Sequence, residues 1–273
     1  MAGPPPPRAV LAAFGVGQTE PVPLAGGEER SWLAGDLVCK PADDEVAAEW
    51  AAELLATIHE DGFRVARPAR SSNGRWIVRG WTASRRVDGE HAPRWAEVVA
   101  AGDAFHRAVR DEPRPAFLAG RDDPWAIGDR AAWNELPVEP FVRSVDELTR
   151  LAAARRPIPN LGPQLIHGDL SENVLFAPGL APAVIDLSPY WRPPGFASAI
   201  VLADAMLWRG GGREILGAAP NVDDLGQLLI RALIYRLVTH AVVRPEDPPN
   251  PATARAVDVA CGLAAANPVE RPG

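Results

Sequence analysis

Seven consecutive residues, His167-Gly168-Asp169-Leu170-Ser171-Glu172-Asn173, form the densest polar cluster in this 273-residue chain, and a further carboxylate closes the nearby run Val184-Ile185-Asp186. Short apolar runs surround them at 164–166, 174–176 and 183–187, each too short for a helix, which predicts strands with the polar residues on loops or strand ends. Carboxylates and an amide oxygen are hard donors of the kind Mg²⁺ takes, its remaining positions going to water and phosphate. A carboxylate on the same loop as Asn173 can instead accept the proton of an incoming hydroxyl. Metal ligands, a group that positions the nucleophile and a cation on the phosphates are the parts that phosphoryl transfer requires.

His-Gly-Asp-Leu, an Asn followed by Val-Leu-Phe and a strand-terminal Asp together resemble the aminoglycoside phosphotransferase family, the small-molecule branch of the protein-kinase-like fold. The resemblance implies an α+β protein of two lobes, a small β-rich lobe with one helix and a larger, mainly helical one. It also implies an ATP- and Mg²⁺-dependent kinase (GTP being the alternative donor) that phosphorylates a hydroxyl of a small antibiotic or metabolite. Asp169 takes the catalytic role, and Asn173 and Asp186 hold the metal. His167 is a packing residue that shapes the loop.

The family also needs a Lys on its third strand. The chain holds 28 basic residues, and Lys40 is the single lysine among 27 arginines; it ends the strand-like run Leu37-Val38-Cys39-Lys40. By resemblance Lys40 contacts the phosphates. Strand alternation puts Val38 on its face, against the adenine, and turns Cys39 to the opposite one. The helix that follows carries Glu49 and Glu53 one turn apart, and the family implies that one of them, Glu53 first, orients Lys40 through an ion pair. Segment Arg79–Ser84 takes the place of the hinge, with Gly80, Trp81 and Ala83 presenting backbone to the adenine edge, and Leu175 forms the floor beneath it.

Three features depart from the family pattern. Only three residues separate Asp169 from Asn173 where four are usual, so the loop must tighten; otherwise Glu172 is the metal ligand. No G-x-G-x-x-G is present, and Gly26-Gly27 and Gly35 are the only glycines bracketing the first hairpin. Pro189-Tyr190-Trp191-Arg192-Pro193-Pro194 follows Asp186-Leu187-Ser188 without a glycine and leaves little room for an activation loop. These departures motivate a second reading, a nucleotide-binding pseudokinase or regulatory module. A third, a metallohydrolase using His167, Asp169, Asp186 and His240, lacks a His-x-x-x-His pair and leaves Lys40 without a task.

The elements that must position these residues divide the chain at residues 1–80, a joint at 81–84 and a lobe at 85–273. Hairpin-like runs at 21–24, 30–33 and 37–40 precede a helix from Asp43 or Asp44 that ends by Gly62, and strands follow at 63–65 and 76–78. Beyond them, helical periodicity appears at 95–109, 145–154, 197–208, 222–242 and 252–266. A net charge of −7 has the wrong sign for a nucleic-acid binder, and no uninterrupted apolar run is long enough for a membrane span. Two cysteines, Cys39 and Cys261, build no disulfide framework, so a cytoplasmic protein acting on a small molecule is expected. Asp204, Glu214, Asp223 and Asp224 are the acidic candidates for meeting a cationic acceptor, although Asp204 sits in an apolar helical run and reads as a buried structural carboxylate.

Overall fold

The computed structural model describes residues 3–24, 30–142 and 146–266. In chain order its first elements are α1 (Arg8–Ala13), β1 (Val22–Pro23), β2 (Trp32–Ala34), β3 (Leu37–Pro41), α2 (Glu45–Thr57), β4 (Arg64–Val65), β5 (Ile77–Val78) and β6 (Trp81–Arg85). Helices α3 (Trp95–Ala108), α4 (Pro124–Ala132), α5 (Glu139–Val142) and α6 (Asp146–Ala154) follow. Then come β7 (Gln164–His167), β8 (Val174–Leu175), β9 (Ala183–Val184), β10 (Pro189–Arg192), α7 (Pro194–Trp208), α8 (Leu225–Val243) and α9 (Thr253–Ala266). Two compact units result, one of Met1–His91 with Leu175–Ile185, the other of Ala92–Val174 with Asp186–Gly273.

The first unit is built on an antiparallel sheet in the order β1-β2-β3-β6-β5. Alternation along β3 buries Leu37 and Cys39 and leaves Val38 and Lys40 half-buried on the other face. The buried face continues through Trp32, Ala34, Trp81 and Ala83 and is covered by Val10, Leu11 and Phe14 of the α1 segment. Helix α1 is therefore a second helix of this unit, where the sequence suggested one; six residues after a proline run show no helical period. Asp44 caps α2 by accepting from the Val46 and Ala47 amides, and the helix ends at Thr57, short of Gly62.

The expected joint at 81–84 is instead strand β6. Its backbone is occupied on both edges, by β3 along its length and by β5, with Ala69 N donating to Ala83 O at 2.8 Å. Arg79 (φ 51°) and Gly80 (φ 74°) form the two-residue turn from β5, so Gly80 serves the hairpin. The chain leaves the first unit only after His91 and returns to it for Leu175–Ile185, where Glu90 and Phe176 exchange backbone hydrogen bonds and β4 pairs in parallel with β9. The Gly26-Gly27 pair lies outside the described residues, as does Val145, the expected start of the helix now seen as α6.

In the second unit α8 is the central helix, packed by α4, α7, α9 and α6. It is long and apolar enough to cross a membrane by length and composition, yet most of that stretch is buried inside this unit. Helix α7 is buried from Phe196 to Leu207, and β10 pairs antiparallel with β7, joining Pro189 to His167 and Arg192 to Gln164. Strand β10 and helix α4 were not legible as such, since prolines bracket the one and Gly128 interrupts the other. That glycine is required by packing. A Cβ there would meet the Tyr235 carbonyl oxygen at 2.6 Å and the Thr239 hydroxyl. Gly128→Ala is expected to destabilise the fold by about 1–3 kcal/mol through overpacking of α4 on α8, read as a lower urea midpoint.

Candidate active site

The second unit places the polar loop between β7 and β8. Asn173 is brought to Asp169 despite the short interval: its Nδ2 donates to the Asp169 carbonyl at 2.7 Å and to Asp169 Oδ2 at 3.1 Å, and Asn173 N donates to Leu170 O at 3.0 Å. The amide nitrogen is thereby committed to Asp169, leaving the hard Oδ1 as the atom Asn173 can offer a metal. Glu172, the alternative ligand, pairs with Arg209 on the wall of the cavity in front of Asp169.

Asp169 is gripped from a third direction. Arg236 of α8 donates through Nη2 to Asp169 Oδ1 at 2.9 Å, and reaches Asp204 of α7 through Nε at 2.7 Å and Nη2 at 2.6 Å. Ser171 Oγ, on the loop itself, donates to Asp204 Oδ2 at 2.6 Å. Asp204 is 4 % exposed, so the reading of a buried structural carboxylate holds, and it supports the loop that carries Asp169. Burial is the largest influence on Asp204 and pushes its carboxyl up, against the pull of Arg236 and Ser171. Burial pulls Arg236 down, but Asp204, Tyr235 and Asp169 outweigh it and hold the guanidinium charged.

Beneath the loop lies a pair of histidines. His167 is fully buried, accepts the Asp169 amide on Nδ1 at 3.2 Å and presents its own amide to His106 Nε2 at 3.1 Å. These bonds fix the neutral tautomers, with the proton on Nδ1 of His106 and on Nε2 of His167. Gly168 passes over the Tyr190 ring, where a Cβ would come within 2.7 Å of Cε2, so a side chain there would displace the loop. Its amide is bonded to Ser188 O at 2.9 Å, which ties the loop to the segment carrying Asp186. Asp186 is exposed and holds φ 53°, the left-handed region that non-glycine residues seldom adopt, and its carboxylate is an oxygen donor suited to Mg²⁺. Among the described residues no three His, Cys, Asp or Glu side chains cluster as a metal site, so a cation here rests on few protein oxygens plus phosphate and water.

In the first unit Val38 and Lys40 share the open face of β3 while Cys39 is buried behind them, its thiol pushed up to about 11 by burial. Such a thiol is inert at neutral pH. Trp81 and Ala83, expected to meet a nucleotide, are buried on the Cys39 side of the sheet, and Gly80 is the hairpin turn, so these three are withdrawn as nucleotide contacts. Glu49 and Glu53, the expected partners of Lys40, are both exposed residues of α2. Leu175 is half-buried beside Gly89, whose φ of 142° and lack of a Cβ let the chain pass 2.9 Å from the Leu175 Cβ.

Arg236 was not foreseen as a site residue. The available signal was a charged residue inside the apolar run 225–243, where a buried partner is required.

A model of the phosphotransferase enzyme family matches residues 20–190. A probable ketoamine kinase of Thermus thermophilus is 28 % identical over 253 residues, covering 86 % of this chain and 92 % of that one. An amicoumacin kinase solved with AMP-PNP and Ca²⁺ superposes with a TM-score of 0.58 at 12 % identity, over 91 % of this chain and 89 % of that one. A spectinomycin phosphotransferase solved with ADP and spectinomycin gives 0.55 at 13 % identity, over 94 % and 96 %. The fold is thus that of the kinase-like aminoglycoside phosphotransferases.

Burial, and then the proximity of His167, pulls the His106 imidazole down to about 3, so acid protonates the unfolded ring but not the folded one. Stability is therefore full above the unfolded pKa near 6.5 and falls as pH drops toward 3. The expected loss from this one group is about 2 kcal/mol between pH 7.5 and pH 5, measured by urea unfolding, and His106→Gln removes that part of the slope.

Proposed function

Because the chain belongs to the phosphotransferase enzyme family, its model matching residues 20–190, we propose that this small-molecule kinase transfers the γ-phosphoryl group of ATP to a hydroxyl with the help of Mg²⁺. The observation that carries the reading is the Asp169 carboxylate, held on one oxygen by Arg236 and on the other by Asn173, and still 42 % exposed at its side chain. A carboxylate so fixed can orient an acceptor hydroxyl and take its proton as the new oxygen–phosphorus bond forms and the bond to the leaving ADP breaks.

Lys40 contacts the donor phosphates, and Val38 on the same strand face packs on the adenine. The backbone that meets the adenine edge follows β6, within residues 86–91, and Leu175 supports it from beside Gly89. Asn173 and Asp186 supply the oxygens for Mg²⁺, which when bound neutralises charge on the transferring phosphates. AMP-PNP and ADP in the related solved structures support an adenine nucleotide as donor. The Thermus relative makes hydroxylated ketoamines the first acceptors to test.

Asp169→Asn keeps the size and the contact to Arg236 but cannot accept a proton. Transfer to an acceptor is expected to fall by at least about 10²-fold, with ATP affinity within a factor of a few. Wild-type-like transfer in this variant would overturn the mechanism, while a wild-type protein that binds ATP but phosphorylates nothing in an acceptor screen would favour the pseudokinase reading.

Lys40→Arg keeps the charge yet replaces a compact ammonium by a planar fork. Its kcat/KM for ATP is expected to drop by about tenfold or more, whereas replacing an exposed arginine such as Arg110 leaves it unchanged.

A further inference from the structure

Two cavities of the second unit share a wall. The first, about 410 Å³, opens in front of Asp169 and is lined by Trp95, Asp204, Arg209, Trp208 and Arg236 among others. The second, about 310 Å³, lies beyond the same Trp208 and Arg236 and is lined by His240, Arg244 and Asp247. Arg236 and His240 lie one turn apart on one face of α8, and Arg244, the residue that closes its C-terminus, follows four residues on, so basic groups lead from the Asp169 loop into the second cavity. Eight residues at the helical rise make that path roughly 12 Å long.

The charges of the two cavities differ. In the first, three carboxylates, Asp169, Asp204 and Glu172, meet two guanidiniums, Arg236 and Arg209, so a single negative charge is left over beside Asp169. A polycationic acceptor would find little unmatched negative charge there. In the second, the one carboxylate in the lining is Asp247, against Arg244 and the imidazole of His240, whose Nε2 lies 3.4 Å from the Asp247 carbonyl oxygen; Arg236 in the shared wall is already bound to Asp169 and Asp204. Arg244 and Asp247 stand 3.8 Å apart with side chains 67 % and 55 % exposed, a loose surface pair worth about 0–1 kcal/mol. A ligand anion can displace Asp247 from Arg244 at that small expense. Trp208, half-exposed between the cavities with Arg236 5.8 Å from its ring, offers a flat surface for the middle of a long molecule.

We propose, resting on the phosphotransfer reading above, that the acceptor is an elongated molecule whose reacting hydroxyl lies at Asp169 and whose far end carries an anionic group held by Arg244 and His240. The anion is a carboxylate or a phosphate-like group, and the acceptor is not a polycation.

The test uses the full-length protein and the ketoamine of a hexose with 4-aminobutyrate, its uncharged 4-aminobutyramide counterpart, the 3-aminopropylphosphonate counterpart, and kanamycin as a polycation. Binding is measured by calorimetry in the presence of ADP, and phosphate transfer from ATP is followed separately. The carboxylate compound is expected to bind at least about tenfold more tightly than the amide, as for a charge-assisted hydrogen bond. Arg244→Gln is expected to bring that ratio close to one without lowering the melting temperature, since the side chain is exposed. Tighter binding of the phosphonate than of the carboxylate supports the inference and assigns the anion as phosphate-like. Equal binding of acid and amide, stronger binding of kanamycin, or binding of none of the compounds overturns it. An anion preference in binding with no transfer to any compound sustains the subsite and overturns the phosphotransfer reading, so the two failures are separable.

Discussion

The geometry of the loop that carries Asp169 depends on one buried guanidinium. Arg236 spends three donor contacts on two carboxylates, Asp169 and Asp204, while Asp204 takes a fourth hydrogen bond from Ser171 of the loop. Removing these charges from water costs several kcal/mol per ion, and the attraction offsets it only when geometry and additional hydrogen bonds are good. Here the guanidinium fork meets Asp204 through both Nε and Nη2, and the Tyr235 ring lies 4.9 Å from its carbon. The loop cannot shift without uncoupling a buried charge, so Asp169 is held by helices α7 and α8, elements far more rigid than the loop that bears it. Two carboxylates share one cation, which leaves the cluster with the net negative charge that a proton acceptor requires.

The second support is neutral. His106 and His167 stack two hydrogen bonds beneath Asp169, one from each backbone amide above it, and both rings are buried. A charged ring in this position would compete with Arg236 for the Asp169 carboxylate and bring an unpaired cation into the core; a neutral one fixes the backbone and leaves the electrostatics to Arg236. Gly102 and Gly168 complete the arrangement by absence of a side chain, the first admitting Leu170 against α3 and the second admitting the Tyr190 ring. Tyr190 in turn bonds to Tyr235 through their hydroxyls at 3.1 Å, so the residue preceding Arg236 touches the same framework.

What the sequence made legible was local. His167 to Asn173 and Asp186 lie within one short stretch, and their polar types between apolar runs survive as a pattern whatever the packing. Lys40 was legible for a different reason, its solitude among 27 arginines. Arg236 is 67 residues from Asp169, and its place in the apolar run 225–243 calls for a buried partner without saying which carboxylate supplies it. The joint after the first sheet was placed one element early, because Trp81 and Ala83 alternate with polar Thr82 and Ser84 in a run too short to tell a strand from a polar connector; pairing with β3 decides it. Glu53 repeats at a helical spacing that suits an ion pair, but the spacing does not say which face of α2 looks inward, and the structure leaves the residue exposed.

Composition and geometry meet at the two cations. Arginine and lysine differ little as surface charges, so a chain with 27 of one and a single other can be read as indifferent to the choice. At position 236 indifference is impossible: an ammonium is a compact point charge and cannot present Nε and Nη2 in a plane to Asp204 while reaching Asp169. At position 40 the proposed task is the reverse, a compact, flexible ammonium on the open face of β3 meeting the donor phosphates, for which a planar fork is the poorer fit. The one lysine and the one arginine that matter most to the proposed chemistry are therefore each in the position where the other would fail, which makes the skewed ratio a statement about Lys40 as much as about the other 27.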